Sequence, residues 1–210
     1  DGLGRLIWWH LGDKVHEVDQ ASLFGGGHIL KPEVIARGTG YRGGEHDPAE
    51  EWSRFVGELL EDNDRNRLIC GDIAEEFRAG ATCLVLSDRV EHCRRVQGML
   101  ACRKIDAVLL NGQLSRKARS EVMKSILERR ERVILATSSL AGEGLDVPHL
   151  DALFLASPVK FSGRLTQYVG RVLRPPPGKK RPRVYDYIDP LPVLEYQARA
   201  RQKVFEGMAA

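Results

Sequence analysis

Residues 82–92, TCLVLSDRVEH, carry the reading from which the fold follows. CLVL is continuously apolar and rich in β-branched and aliphatic side chains, as a strand buried on both faces must be. It stops at the polar Ser87-Asp88-Arg89 cluster, after which the pattern turns helical. The same unit recurs downstream. Strand-like runs at 106–110, 132–136, 152–156 and 183–188 alternate with helical patterns at 115–129, 139–142 (short), 163–173 and 192–206. Upstream, 28–39 reads as an extended segment interrupted at Pro32. A helix is expected over 48–61, with Trp52, Phe55, Val56, Leu59 and Leu60 on one stripe, and a second over 63–78, stopped by Gly80. Strands alternating with helices mean a parallel sheet covered on both faces. The expected fold class is therefore α/β, doubly wound and mostly parallel.

Composition narrows the function. The chain has 210 residues and 42% hydrophobic content, enough for one well-buried domain. No apolar run reaches the ~20 residues of a membrane helix, and no signal peptide pattern is present. No membrane partner and a cytoplasmic location are expected. Cys70, Cys83, Cys93 and Cys102 form no CxxC pair, which favours reduced thiols over a disulfide framework or a metal site. The six His are scattered, so no metal is expected. Net charge is only +3 but uneven. Acids dominate from 45 to 76. None occurs between Ala152 and Tyr185, where Lys160, Arg164, Arg171, Arg174, Lys179, Lys180, Arg181 and Arg183 fall. Such a basic stretch suits nucleotide or nucleic acid. The chain contains no G-x-x-x-x-G-K-[ST] phosphate loop.

In open parallel sheets ligands lie beyond the carboxyl ends of the strands. Three such ends are small or polar: Ser87-Asp88-Arg89, Asn111-Gly112-Gln113 and Thr137-Ser138-Ser139. Backbone N–H groups and hydroxyls ahead of a helix suit phosphates. A row of them suits a nucleic-acid strand followed through its backbone. The competing assignment is helix capping, by Ser87 or Asp88 and by Ser115. A different surface comes from 167–174, QYVGRVLR. As a helix it places Gln167, Arg171 and Arg174 on one narrow face and Tyr168, Val169, Val172 and Leu173 on the other. Two permanently charged planar forks suit a polyphosphate. An ordinary exposed amphipathic helix is the alternative.

Four stretches together resemble superfamily 2 helicases. TCLVLSDRVEH (82–92) resembles their motif IV, LLNGQLSRKAR (109–119) motif IVa, ILATSSLAGEGLDVPHLDALFLAS (134–157) motif V and QYVGRVLR motif VI. The order and spacing are those of the second, RecA-like motor domain, close to the branch of restriction-enzyme translocase subunits and excision-repair helicases. The resemblance implies that Gln167, Gly170, Arg171 and Arg174 occupy the four fixed positions of motif VI, with both Arg reaching the γ-phosphate of ATP. It implies that Gly144 and Asp146 lie near the nucleotide. Ser87, Arg89, Gly112, Gln113, Thr137 and Ser138 would face a nucleic-acid strand, expected to be DNA. Arg119 matches the motif IVa Arg, with a structural role. ATP with Mg²⁺ would be held mainly by a first RecA-like domain of the same protein, the second expected partner. Residues 1–25 are expected to continue from that first domain, and 26–210 to form the second. The outcome implied is an ATP-dependent helicase or translocase whose isolated fragment is inactive. The alternatives are a nucleic-acid binding or annealing module without a working ATPase, and an interaction scaffold.

Overall fold

The computed structural model describes residues 32–137, 147, 149–158 and 182–207. The elements run β1 (Glu33–Gly38), α1 (Trp52–Glu61), α2 (Asn63–Arg78), β2 (Cys83–Ser87), α3 (Val90–Ala101), β3 (Val108–Leu110), α4 (Arg116–Leu127), β4 (Val133–Thr137), β5 (Ala152–Leu155), β6 (Arg183–Ile188) and α5 (Pro192–Gly207). Six strands form one sheet in the order β1-β6-β5-β2-β4-β3, and every pairing is parallel. The expected doubly wound α/β architecture is the one observed.

Strand alternation divides the core. Cys83, Val85, Val133, Leu135, Ala152, Phe154, Tyr185 and Tyr187 face α2 and α3, meeting Ile69, Ile73, Cys93, Val96 and Leu100. Leu84, Leu86, Ile134, Ala136, Leu153, Leu155 and Val184 face the opposite layer, where Ile126 of α4 and Phe205 of α5 pack. Both side-chain sets of the central strands are thus buried, which is why those strands read as unbroken apolar runs. Phe154 stacks on Tyr185 with ring centroids 4.6 Å apart. A smaller cluster joins Tyr41 and the apolar stripe of α1 (Phe55, Val56, Leu59, Leu60) to Leu194 of α5.

Of the boundaries that differ from expectation, two have evident local reasons. The helix expected from Pro48 begins at Trp52. Asp47 closes a turn ahead of it, its Oδ1 accepting from Ala49 N at 2.7 Å and its carbonyl from Glu51 N at 2.8 Å. The strand expected over 106–110 is reduced to Val108–Leu110. The Ala107 carbonyl is taken by Gln97 Nε2 of α3 at 2.7 Å rather than by a neighbouring strand.

Helix α2 ends as its Gly80 suggests. Gly80 N donates to Phe77 O and Ala81 N to Glu76 O, with Gly80 at φ +88°; this is a Schellman ending. The same 6→1 bond closes α3, from Ile105 N to Leu100 O, and α4, from Arg130 N to Ser125 O. There the left-handed residues are Lys104 (φ 59°) and Arg129 (φ 56°).

Candidate nucleic-acid interface

The sheet places the three polar strand ends side by side. β4 lies between β2 and β3. Ser87 pairs in register with Thr137. Leu110 pairs with Ala136, so Asn111-Gly112-Gln113 continues beside Thr137. The expectation that these ends form a row is a matter of strand order, and the order supplies it.

Each end has its own construction. After β3, Asn111 is buried and its Oδ1 accepts from Gln113 N at 3.0 Å. This turn presents Gly112 and Gln113 as exposed residues. Ser115 then caps α4, accepting from Ala118 N at 3.2 Å, as its place before the helix suggests. Thr137 closes β4 as a buried residue.

The end of β2 is built differently from the capping assignment. The N-cap position of α3 is Arg89, with no side-chain cap. Ser87 Oγ accepts from Arg89 N at 3.3 Å and lies 2.9 Å from His92 Nδ1. The opposite ring nitrogen, Nε2, lies 2.9 Å from Asn66 Oδ1, and Asn66 Nδ2 donates to Leu60 O at 2.9 Å. That last bond fixes the amide, so Oδ1 is an acceptor and Nε2 must carry the proton. Nδ1 of the neutral ring therefore accepts, and the Ser87 O–H donates to it. Burial, with Arg65 and Arg95 adding to it, pushes His92 down to about 3; the ring is neutral at physiological pH. The Ser87 hydroxyl is thus spent inside the protein, and what it offers a ligand is the turn it shapes. Asp88 N donates to Ser157 Oγ at 3.0 Å. Arg89 Nη2 donates to Ser53 Oγ at 2.7 Å and Ser53 O at 2.9 Å, which ties the guanidinium to the start of α1.

Next along the sheet, beyond β5 and β6, the strand ends are sealed. Arg65 Nη1 donates to Ala156 O at 2.8 Å, and its other nitrogens bond to Asp189, which also accepts from Thr39 Oγ1 at 2.6 Å. Among the described residues of the polar strand ends, Asp88 after β2 and Gly112 and Gln113 after β3 are the exposed ones, while Ser87 and Thr137 are buried. Arg65, Asn66 and His92 had not been singled out for this region. The available signal was α2 itself: Arg65, Ile69, Asp72, Ile73 and Glu76 share one face at helical spacing, so its buried side carries charge.

Ser138, Gly144, Asp146, Gln167, Gly170, Arg171 and Arg174 lie outside the described residues. Among the described residues, no three His, Cys, Asp or Glu side chains form a group able to hold a metal ion. No described helix is long and apolar enough to cross a membrane.

Residues 65–176 match the model of the helicase conserved C-terminal domain. The chain belongs to that family. Its fold is that of the C-terminal RecA-like domain of superfamily 2 helicases. The transcript termination protein OPG145 of Variola virus is 31% identical over 130 residues, 60% of this chain and 26% of the viral protein. The transcript termination protein A18 of Vaccinia virus (strain Ankara) matches to the same extent. The chain thus spans about a quarter of the length of these curated relatives. Among solved structures, T4 UvsW superposes with a TM-score of 0.67 at 19% identity, covering 85% of this chain and 40% of UvsW. S. cerevisiae Dbp5 L327V bound to RNA and ADP BeF3 gives 0.66 at 12% identity, covering 98% and 46%. At such identities the likeness is one of fold.

Proposed function

We propose that this helicase domain is the second motor domain of an ATP-dependent helicase or translocase, and that it follows a nucleic-acid strand through its phosphates. The observation that carries the reading is the adjacent row of β2, β4 and β3 ends within a helicase C-terminal domain. Arg89, Gly112, Gln113, Thr137 and Ser138 form the proposed track, with Ser87 acting through the turn it holds. Such contacts position a backbone without reading bases. DNA is the proposed strand, and competition by an RNA strand of equal length checks that choice.

The nucleotide half of the proposal rests on motif VI. Arg171 and Arg174, which share the four fixed positions of motif VI with Gln167 and Gly170, are assigned to the γ-phosphate of ATP. Gly144 and Asp146 are assigned to the nucleotide edge. The sequence has no phosphate loop. The triphosphate and Mg²⁺ are therefore assigned to the first motor domain, where the ion would supply charge neutralisation for phosphoryl transfer. This chain contributes guanidiniums across the cleft.

The test uses the full-length protein and compares stimulated ATPase with strand affinity. Arginine fingers are worth on the order of 10³–10⁵ in rate. Arg171→Ala and Arg174→Ala should nearly abolish turnover while strand affinity stays within a few-fold. Arg174→Lys should not rescue, since it keeps charge but loses the planar fork. Thr137→Ala should do the reverse. Arginine variants that keep turnover and lose the strand would move the 167–174 stretch to the strand-binding surface.

A further inference from the structure

The strand track proposed above has a hidden support. Five polar groups, drawn from α1, α2, α3 and β2, are joined in series behind the end of β2. They run from the Leu60 carbonyl through Asn66 and His92 to the Ser87 hydroxyl, and on to the Arg89 amide. Asn66, His92 and Ser87 are all at most 3% exposed, so a polar group left without its partner there is costly. Each bond has only one direction that satisfies both ends. The backbone carbonyl of Leu60 can only accept, which fixes the Asn66 amide. Asn66 Oδ1 then requires Nε2–H, and the Nδ1 lone pair in turn requires the Ser87 proton. Ser87 is left with an oxygen lone pair aimed at Arg89 N–H. Arg89 is also the residue whose guanidinium is tied to Ser53 on α1.

From this we infer that Asn66 and His92 are positioning residues of the nucleic-acid track: through Ser87 they set the backbone at Arg89 and hold its guanidinium where a strand passes. The inference rests on the proposed function only in its last clause. The relay itself is a statement about the protein without ligand. His92 needs to be neutral with its proton on Nε2. A second proton on Nδ1 would donate to Ser87 Oγ, reverse the Ser87 hydroxyl and compete for the oxygen that accepts from Arg89. The groups facing the ring favour the neutral form. Arg65 of α2 and Arg95 of α3 both oppose a positive charge there. Arg89 also lines the surface pocket beside the ring, a recess of about 280 Å³ where Glu61 and Glu91 supply the only carboxylates.

The experiment uses the 210-residue chain, binding of a fluorescent 12-mer oligothymidylate, and ¹⁵N NMR. Three variants carry it: His92→Gln, which keeps one donor and one acceptor; His92→Ala, which keeps neither; and Asn66→Asp, which places a carboxylate against Nε2. The wild-type ring should show the Nε2–H tautomer, unchanged from pH 8 to pH 5, and strand affinity should be equally flat. His92→Ala should shift the Arg89 amide resonance and weaken the strand by the same factor as Arg89→Ala. The double variant should be no weaker than either single one, because both act through one guanidinium. His92→Gln should restore most of the loss. Asn66→Asp should bring protonation of His92 up towards neutral pH, with the Arg89 amide and strand affinity changing together as it titrates.

An Nδ1–H tautomer in the wild type would overturn the inference, as would an Arg89 amide that does not move while His92 titrates in Asn66→Asp. So would strand affinity that falls in Arg89→Ala but not in folded His92→Ala; should His92→Ala not fold, Asn66→Asp decides alone. The strand-track reading fails separately. Its failure is an Arg89→Ala variant that binds the strand as well as wild type, in which case the tautomer and the Arg89 amide still decide the relay.

Discussion

The Arg65 guanidinium and the Asp189 carboxylate form a two-point pair inside the protein, Nε to Oδ1 at 2.8 Å and Nη2 to Oδ2 at 3.3 Å. Their side chains are 1% and 3% exposed. The pair fastens the first turn of α2 to the residue just beyond β6. A buried ion pair is costly to assemble and more costly to break, because the survivor keeps its charge without a partner. Arg65→Met and Asp189→Leu should each lower unfolding free energy by about 3–5 kcal/mol. The double variant should lose much less than the sum. Urea unfolding of the three variants measures this, and additive losses would contradict it.

The endings of α3 and α4 predict a gain. Lys104 and Arg129 hold left-handed backbone at positions where glycine pays no Cβ penalty. The conformation costs an L-residue roughly 1–2 kcal/mol, offset by the greater chain entropy that glycine brings to the unfolded state. Lys104→Gly and Arg129→Gly should each be neutral to stabilising, by up to about 1 kcal/mol. Gly80→Ala, at φ +88°, should destabilise. Thermal unfolding of the set settles the sign.

The fold was legible because its central strands advertise themselves. CLVL at β2 and VILAT at β4 are buried at every position, and a run with no polar face has few other places to go. Strand ends were legible for the same reason, since polarity returns where burial stops. Boundaries were less so: the length of β3 depends on Gln97, ten residues away, reaching Ala107. The relay at β2 was not legible at all. His92 lies in the 82–92 stretch with nothing in its sequence neighbourhood to mark a polar role, and it is buried. Its polar role depends on Asn66, 26 residues earlier. Charges on the inner face of α2 were equally silent. Asp72 and Glu76 meet Tyr187 and Tyr185, whose hydroxyls donate at 3.0 and 2.6 Å from more than a hundred residues on.

Thiol chemistry gives a simple count. Cys70, Cys83 and Cys93 are buried and Cys102 is exposed. Burial raises the first to about 11 and the third to about 12, and drives Cys83 higher still. The thiolate is the reactive form. The native chain at pH 8 should therefore show one fast equivalent with a disulfide reagent, abolished by Cys102→Ser, and four equivalents after unfolding. A second fast thiol in the native state would mean that the α2–α3 layer opens readily.

Acid stability should carry the signature of His92. In the unfolded chain a histidine titrates near 6.5. Burial among Asn66, Ser87 and the Arg65 and Arg95 charges depresses it to about 3 in the folded protein. Between those values the unfolded chain binds a proton that the folded one refuses, so stability rises with pH across the window and is lost as pH falls through it. One proton corresponds to a slope of about 1.4 kcal/mol per pH unit. Carboxylates add their own slopes at the acid end, and a variant isolates the histidine. Urea unfolding of wild type and His92→Gln should converge in pH dependence above about pH 7. Between about pH 6 and pH 4.5 the wild type should lose stability faster, by roughly one proton's slope. Parallel curves throughout would mean that His92 takes up its proton without leaving the fold, and that the Asn66–His92–Ser87 chain accommodates a charged ring.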